Sequence, residues 1–345
     1  MELSALPGPR LGTLRSSLTA ARRAPSRSTL RFRDLYAWLF GLALVGTVIV
    51  VATHLSEGRA FVALARNIAP AWLAFGVVLQ LGTYVADARS WQRVLRRVGE
   101  QRPLHGFLSL GLAKLFVDQA VPSGGISGSL VVVRGLERRG IPRSTCMAAV
   151  VVDLYAYYAA YIVALVVAFA ELAARDELGA AMLVTAAVFG TMALCVVGFL
   201  TALTTSARRF LPSRLLGLRW IAPFVTAVAE ADPRLVRRSD LIAVSFGHQL
   251  AIFLLDAATV WAMLRGIGIS LHPVPVFASF MLASLARSLG VLPGGIGTFE
   301  AASVATLRLA GAPLAGALTA TLLFRGLSFW IPLVPGMLMA RRESR

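Results

Sequence analysis

Lysine occurs once in this chain of 345 residues, at position 114, cysteine twice, histidine four times, and Asp and Glu together only 17 times. These scarcities exclude whole classes of protein. His54, His105, His248 and His272 are scattered without metal-ligand spacing, and Cys146 and Cys195 lie inside apolar sequence, so neither a metal site nor a disulfide framework is expected. No Gly-rich loop of the Walker type is present, which argues against ATP, and no cofactor is called for. Paired acids at catalytic spacing and a nucleophile with its base are also lacking, so we expect no enzyme. What remains is hydrophobic: 57% of residues are apolar and 15% charged, with a mean hydropathy of +0.73.

Apolar runs close to the roughly 20 residues that span a bilayer lie at 35–55, 71–90, 145–170, 179–203, 241–264 and 314–340. Four shorter pieces, at 104–121, 126–139, 274–291 and 297–310, are too brief to cross comfortably and come as two pairs. The expected fold is therefore an all-α polytopic membrane protein of about six transmembrane helices plus two re-entrant helical hairpins. The alternative is that each pair supplies ordinary spanning helices, for eight or more crossings.

A net charge of +17 would suggest nucleic acid in a soluble protein. Here the arginines flank the apolar runs, so they report topology and no nucleic-acid partner is expected. Arginines crowd residues 1–34, 93–102, 134–143, 205–240 and the C-terminus, whereas the loops near 56–70, 172–178 and 265–273 carry few. By the positive-inside rule both termini face the cytoplasm, in a multi-pass protein of the cytoplasmic membrane. Residues 1–34 read as a disordered basic tail able to rest on anionic lipid, 35–340 as one transmembrane domain, and the 205–240 connection as either an interfacial helix or a solvated loop.

Each short pair is joined by a helix-breaking motif, VPSGGISG at 121–128 and LPGGIGTFE at 292–300. Broken backbone at membrane depth persists only where it is buried in protein or lines a cavity. The repeat extends further, because GIP at 140–142 matches GAP at 311–313, and each precedes a span bearing an ionisable residue, Asp153 or Arg325. Three expected crossings separate the copies, so repeat one (about 104–170) and repeat two (about 274–340) form an inverted-topology repeat, the architecture of alternating access.

These residues resemble the lysylphosphatidylglycerol synthase transmembrane, or flippase, family. Pro293, Gly294, Gly295, Gly297 and Glu300 look like its P-x-x-G-G-x-G-x-x-E pattern with a tighter first spacing, and Arg325 takes the place of the family's arginine in the last span. Pro122, Gly124, Gly125 and Arg134 resemble the weaker upstream motif. Asp153 matches its acidic position, although Leu154 stands where the family often has arginine. The resemblance implies movement of a polar lipid between leaflets, without the synthetase domain.

The residues themselves support a site for an anionic group. Each break starts a helix whose free N–H groups and positive dipole end point into the membrane. Gly124, Gly125, Gly294, Gly295 and Gly297 let backbone approach a ligand, or permit tight helix packing. Glu300 is placed to cap the helix after Gly297, and Arg325 to pair with Glu300 or Asp256, since an intramembrane charge costs about 2.5–3.5 kcal/mol. Asp153, Arg134 and Arg287 complete the substrate-binding candidates. Lys114, Asp118, Tyr157, His248 and Asp256 are candidates for cavity lining or coupling, with Lys114 and Asp118 spaced for a local ion pair. Ser245, Gln249 and Asp256 share one helical face, as do Gln80, Tyr84 and Asp87.

Two functions fit. One is binding and flipping or transport of a polar or anionic lipid, an anionic phospholipid for example. The other is a non-transporting scaffold that holds lipid for a partner enzyme acting on lipid or glycan, as a single copy or a homo-oligomer.

Overall fold

Helices follow from long apolar runs broken only at Gly and Pro. The structure, a computed structural model, describes residues 63–120, 126–175, 179–204, 225, 228–289 and 293–344. The basic tail, the 35–55 run, most of the 205–240 connection and the first break with Gly124 and Gly125 lie outside the described residues. In order come α1 (Pro70–Arg96), α2 (Leu104–Ala120), α3 (Ile126–Arg138), α4 (Arg143–Ala174), α5 (Ala180–Thr204), α6 (Pro233–Val236), α7 (Ser239–Gly266), α8 (Pro273–Leu289), α9 (Thr298–Leu309), α10 (Leu314–Arg325) and α11 (Ile331–Ser344). A single turn, Pro293–Gly295, precedes α9, and a wide π turn, Gly326–Trp330, joins α10 to α11.

Of the six expected spans, 71–90, 145–170, 241–264 and 314–340 coincide with the four helical runs long and apolar enough to cross a membrane. The run at 179–203 forms α5, of which Gly190–Ala202 is the described apolar stretch. At about 1.5 Å per residue the 27 residues of α1 reach about 40 Å, enough to cross the hydrocarbon core. The 17 residues of α2 or α8 reach about 25 Å and the 12 of α9 about 18 Å, which is too short.

The element order repeats, and so do its local closures. α1 and α7 end alike, with Glu100 N–H donating to Leu95 and Ile269 N–H to Leu264, each over a glycine of positive φ. α3 and α9 also end alike, with Ile141 N–H donating to Leu136 and Ala312 N–H to Leu307. Both closures are the six-to-one bond of a Schellman motif, and Pro142 or Pro313 then starts the next helix. Packing is reciprocal: α11 lies along α2, α4 lies along α8, and α1 pairs with its counterpart α7.

Polar contacts sort the helix ends into two groups. At one end Arg97 pairs with Asp240 at 2.8 Å, Arg102 Nη2 donates to the Arg139 carbonyl at 2.6 Å, and the Arg139 guanidinium meets Glu343 at 2.6 Å. Arg143 joins Glu230 there, and Asp232 N–H donates to Ser144. This basic end therefore gathers the C-terminal end of α1, both outer ends of the α2–α3 hairpin, the starts of α4 and α7, and the end of α11. At the other end Ala69 N–H donates to the Gly266 carbonyl and Trp261 Nε1 to the Leu271 carbonyl. A small cleft of about 20 Å³ there is lined by Leu172 of α4, Pro275 of α8 and Leu309 of α9. The α8–α9 hairpin thus opens at the end opposite to the α2–α3 hairpin.

Two apolar cores result. One, near the basic end, packs Trp91 and Leu95 with Leu110, Leu136 and Cys146–Val152. The other packs Tyr161–Leu172 of α4 with Phe253–Ile267 of α7, Phe280, Met281, Phe299 and Phe324. Polar residues of α1, α4 and α7 fill the layer between them.

Candidate functional site

The second break is held by one buried ion pair. Arg325 Nε donates to Glu300 Oε1 at 2.7 Å, with the two side chains 4% and 6% exposed. Glu300 Oε2 accepts the Gly297 N–H at 2.6 Å, capping α9, while Arg325 Nη2 donates to the Gly294 carbonyl at 3.2 Å. Phe329 closes the guanidinium face at 4.1 Å and Phe299 lies at 5.3 Å. The π turn keeps Phe329 over the arginine four residues before it; such wide turns are common where a helix carries a site. Every charge here is answered by protein, as burial demands.

Arg287 lies just before this break and is treated differently. The side chain is exposed, and among the described residues no carboxylate forms an ion pair with it; its one hydrogen bond, Nη2 to Ser284 Oγ, is long at 3.4 Å. It stands among helices, near the C-terminal end of α8, which packs on α4, α7 and α9. Gly295 makes room for it. A Cβ at Gly295 would fall 2.2 Å from Arg287 Cγ, and its φ of +62° is one that side chains rarely adopt.

At the first break the acid comes from the preceding arm. Asp118 Oδ1 accepts the Gly128 N–H at 2.9 Å, reaching across to the start of α3, while Asp118 Oδ2 takes the Lys114 ammonium at 3.2 Å. This pair is 23% and 19% exposed, far more open than its counterpart.

Between the breaks the α1–α7 seam carries two polar knots. Gln80 Nε2 donates to Asp256 Oδ1 at 2.9 Å and to Thr259 Oγ1 at 3.0 Å. Further along, Asp153 Oδ1 accepts from Gln249 Nε2 at 2.8 Å and from Ser90 Oγ at 3.4 Å.

With this geometry established, the chain was compared with known proteins. The family model described as the lysylphosphatidylglycerol synthase TM region matches residues 38–336. The chain belongs to this family. No curated protein matches it.

Of the residues that carry the lysylphosphatidylglycerol synthase TM resemblance, Gly294, Gly297, Glu300 and Arg325 meet in one buried cluster. Gly124 and Gly125 lie outside the described residues. Arg134 is exposed on α3, and His248 bonds only the Val244 carbonyl of its own helix, so neither is drawn into the seam. Arg325 pairs with Glu300 and not with Asp256, whose partner is Gln80. Tyr157 packs against Tyr158, Tyr161 and Phe253 with ring centroids 5.3–5.7 Å away. Ser90, Phe299 and Phe329 were missed from sequence. Ser90 lies three residues after Asp87 and Phe329 four after Arg325, spacings that put them on the same helical faces.

Proposed function

We propose that this membrane protein binds a polar, anionic lipid headgroup between its two breaks and moves it from one leaflet to the other, without chemistry of its own. The observation that carries the reading is Arg287. A guanidinium among helices without an acidic partner in the described residues suits a lipid phosphate, because an intramembrane cation needs an anion or water. Lys114, beside the first break, would meet the same headgroup from the other half. Glu300 and Arg325 would hold the break in shape for it.

The opposed openings of the two hairpins support an inverted, re-entrant repeat, and the reciprocal packing of α2 with α11 and of α8 with α4 supports a pseudo-two-fold exchange of access. The basic end, which gathers Arg93, Arg96, Arg97, Arg102, Arg138 and Arg139 with α11, is our cytoplasmic face in the cytoplasmic membrane.

Purified protein in liposomes containing fluorescent phosphatidylglycerol tests this. Wild type is expected to expose inner-leaflet probe to an external quencher faster than empty vesicles, Arg287→Ala to abolish the gain, and Arg287→Lys to keep part of it. Folded wild type that exchanges none of several lipids would favour the scaffold function.

A further inference from the structure

Midway between the two apolar cores, three carboxylates surround the chain's only lysine. Asp118 pairs with Lys114, Asp87 reaches the same helix at Gly111, one turn before Lys114, where a Cβ would fall 3.1 Å from Asp87 Oδ2, and Asp153 bonds Ser90, one turn after Asp87. Asp153 lies ten residues into α4, about 15 Å from the basic end, and is 9% exposed. The partners it bonds are neutral: Gln249 of α7 and Ser90 of α1. α2, packed on α1, presents Lys114 with Asp118, and of the other helices packed on α4, α8 presents Arg287 and the short α6 presents Arg234 at the basic end. α3 presents Glu137, which Arg143 already occupies at the start of the helix. α1 adds Asp87 and α7, farther along, Asp256. The described part of α5 brings no carboxylate or base.

One ammonium therefore serves three carboxylates at a depth where each uncompensated charge costs about 2.5–3.5 kcal/mol. Donors stand beside them. Trp91, 3% exposed, offers its Nε1 to Asp87 one turn away, and Ser245 Oγ, on a residue 1% exposed, has no partner among the described residues one turn before Gln249. A metal cation does not suit the place, because the groups touching Asp153 are an N–H and an O–H aimed at its oxygen, whereas hard cations require a shell of oxygen acceptors. A proton requires only one carboxylate oxygen.

We propose that Asp153, set among Asp87, Lys114 and Gln249, is a proton-binding site that couples lipid movement to a proton gradient; this rests on the lipid reading above. A proton from the basic end attaches to a carboxylate oxygen of Asp153. It leaves along the α1–α7 seam, where Asp256 is the following acceptor, bonded by Gln80, one turn before Tyr84, whose hydroxyl has no partner among the described residues.

Two measurements test the site separately from transport. Infrared difference spectra of the protein in nanodiscs, titrated with acid, should show a protonated carboxyl band that Asp153→Asn removes and Asp153→Glu retains at a shifted frequency. In liposomes, an imposed pH gradient should raise wild-type exchange of fluorescent phosphatidylglycerol several-fold and leave the Asp153→Asn ratio near unity. A carboxyl band unchanged by Asp153→Asn, or wild-type exchange indifferent to the gradient, overturns the proposal. Should no lipid move under any condition, the lipid reading fails, and the infrared titration alone decides whether Asp153 takes the proton.

Discussion

The two breaks occupy equivalent places in the two halves yet are stabilised in opposite ways. Gly140 and Gly311, and likewise Pro142 and Pro313, stand 171 positions apart, and at that spacing the first-half counterparts of Glu300 and Arg325 are Ser129 and Leu154. The second break spends its charges on itself: carboxylate, guanidinium, cap and aromatic lid form a closed set. The first break draws its acid from the preceding arm and leaves it, with Lys114, open to the central layer. The difference teaches that the two halves are not equivalent: one holds a buried pair closed on itself, the other a pair about a fifth exposed that also reaches the start of α3.

The comparison breaks most visibly at the ion pairs. Arg325→Ala strands a buried carboxylate, so a loss of about 3–5 kcal/mol is expected in unfolding of the detergent-solubilised protein. Lys114→Ala leaves Asp118 still capping Gly128 N–H, and the acids around it can answer the lost ammonium by taking a proton, so a smaller loss of about 1–2 kcal/mol follows. Equal losses would show that the first break depends on its pair as much as the second.

Glycines sharpen the contrast. Gly295→Ala combines a positive φ with collision against the Arg287 stem and should cost about 2–4 kcal/mol together with lipid exchange. At Gly128 a Cβ would fall 2.3 Å from Asp118 Oδ1, which has room to swing away, so Gly128→Ala should cost about 1–3 kcal/mol and release the cap. Thermal melting of both variants beside wild type orders the two.

Packing across the halves comes next. A Cβ at Gly336 would fall 2.7 Å from the Leu112 carbonyl, so Gly336→Ala should lower the melting temperature by forcing α11 off α2. Gly247→Ala on α7 meets nothing within 4 Å and should hold or raise stability by up to about 1 kcal/mol. The smallest effect belongs to the basic end, where Arg139→Ala removes a pair with Glu343 that is 26% and 12% exposed, and should cost about 1 kcal/mol in the same melts.

Much of this was legible along the chain because it is local. Apolar length, the second Pro-Gly break, the GIP and GAP helix ends, the Lys114–Asp118 spacing and the cap by Glu300 all depend on neighbours within a turn or two. Arginine placement read the basic end correctly as one group, since each cluster flanks an apolar run. The partner of Arg325 was narrowed to two acids, and packing chose Glu300, because α9 and α10 fold back on each other while Asp256 is already occupied by Gln80.

Sequence alone therefore determined the membrane class, the helices and where they break, since hydropathy and backbone freedom are properties of short segments. The tertiary structure decided that Glu300 and Arg325 satisfy each other, that Arg287 forms no ion pair among the described residues, and that Asp153 meets Gln249 and Ser90. Those pairings join residues from 25 to 96 positions apart, and only helix packing determines which charges in a low-dielectric interior come within reach.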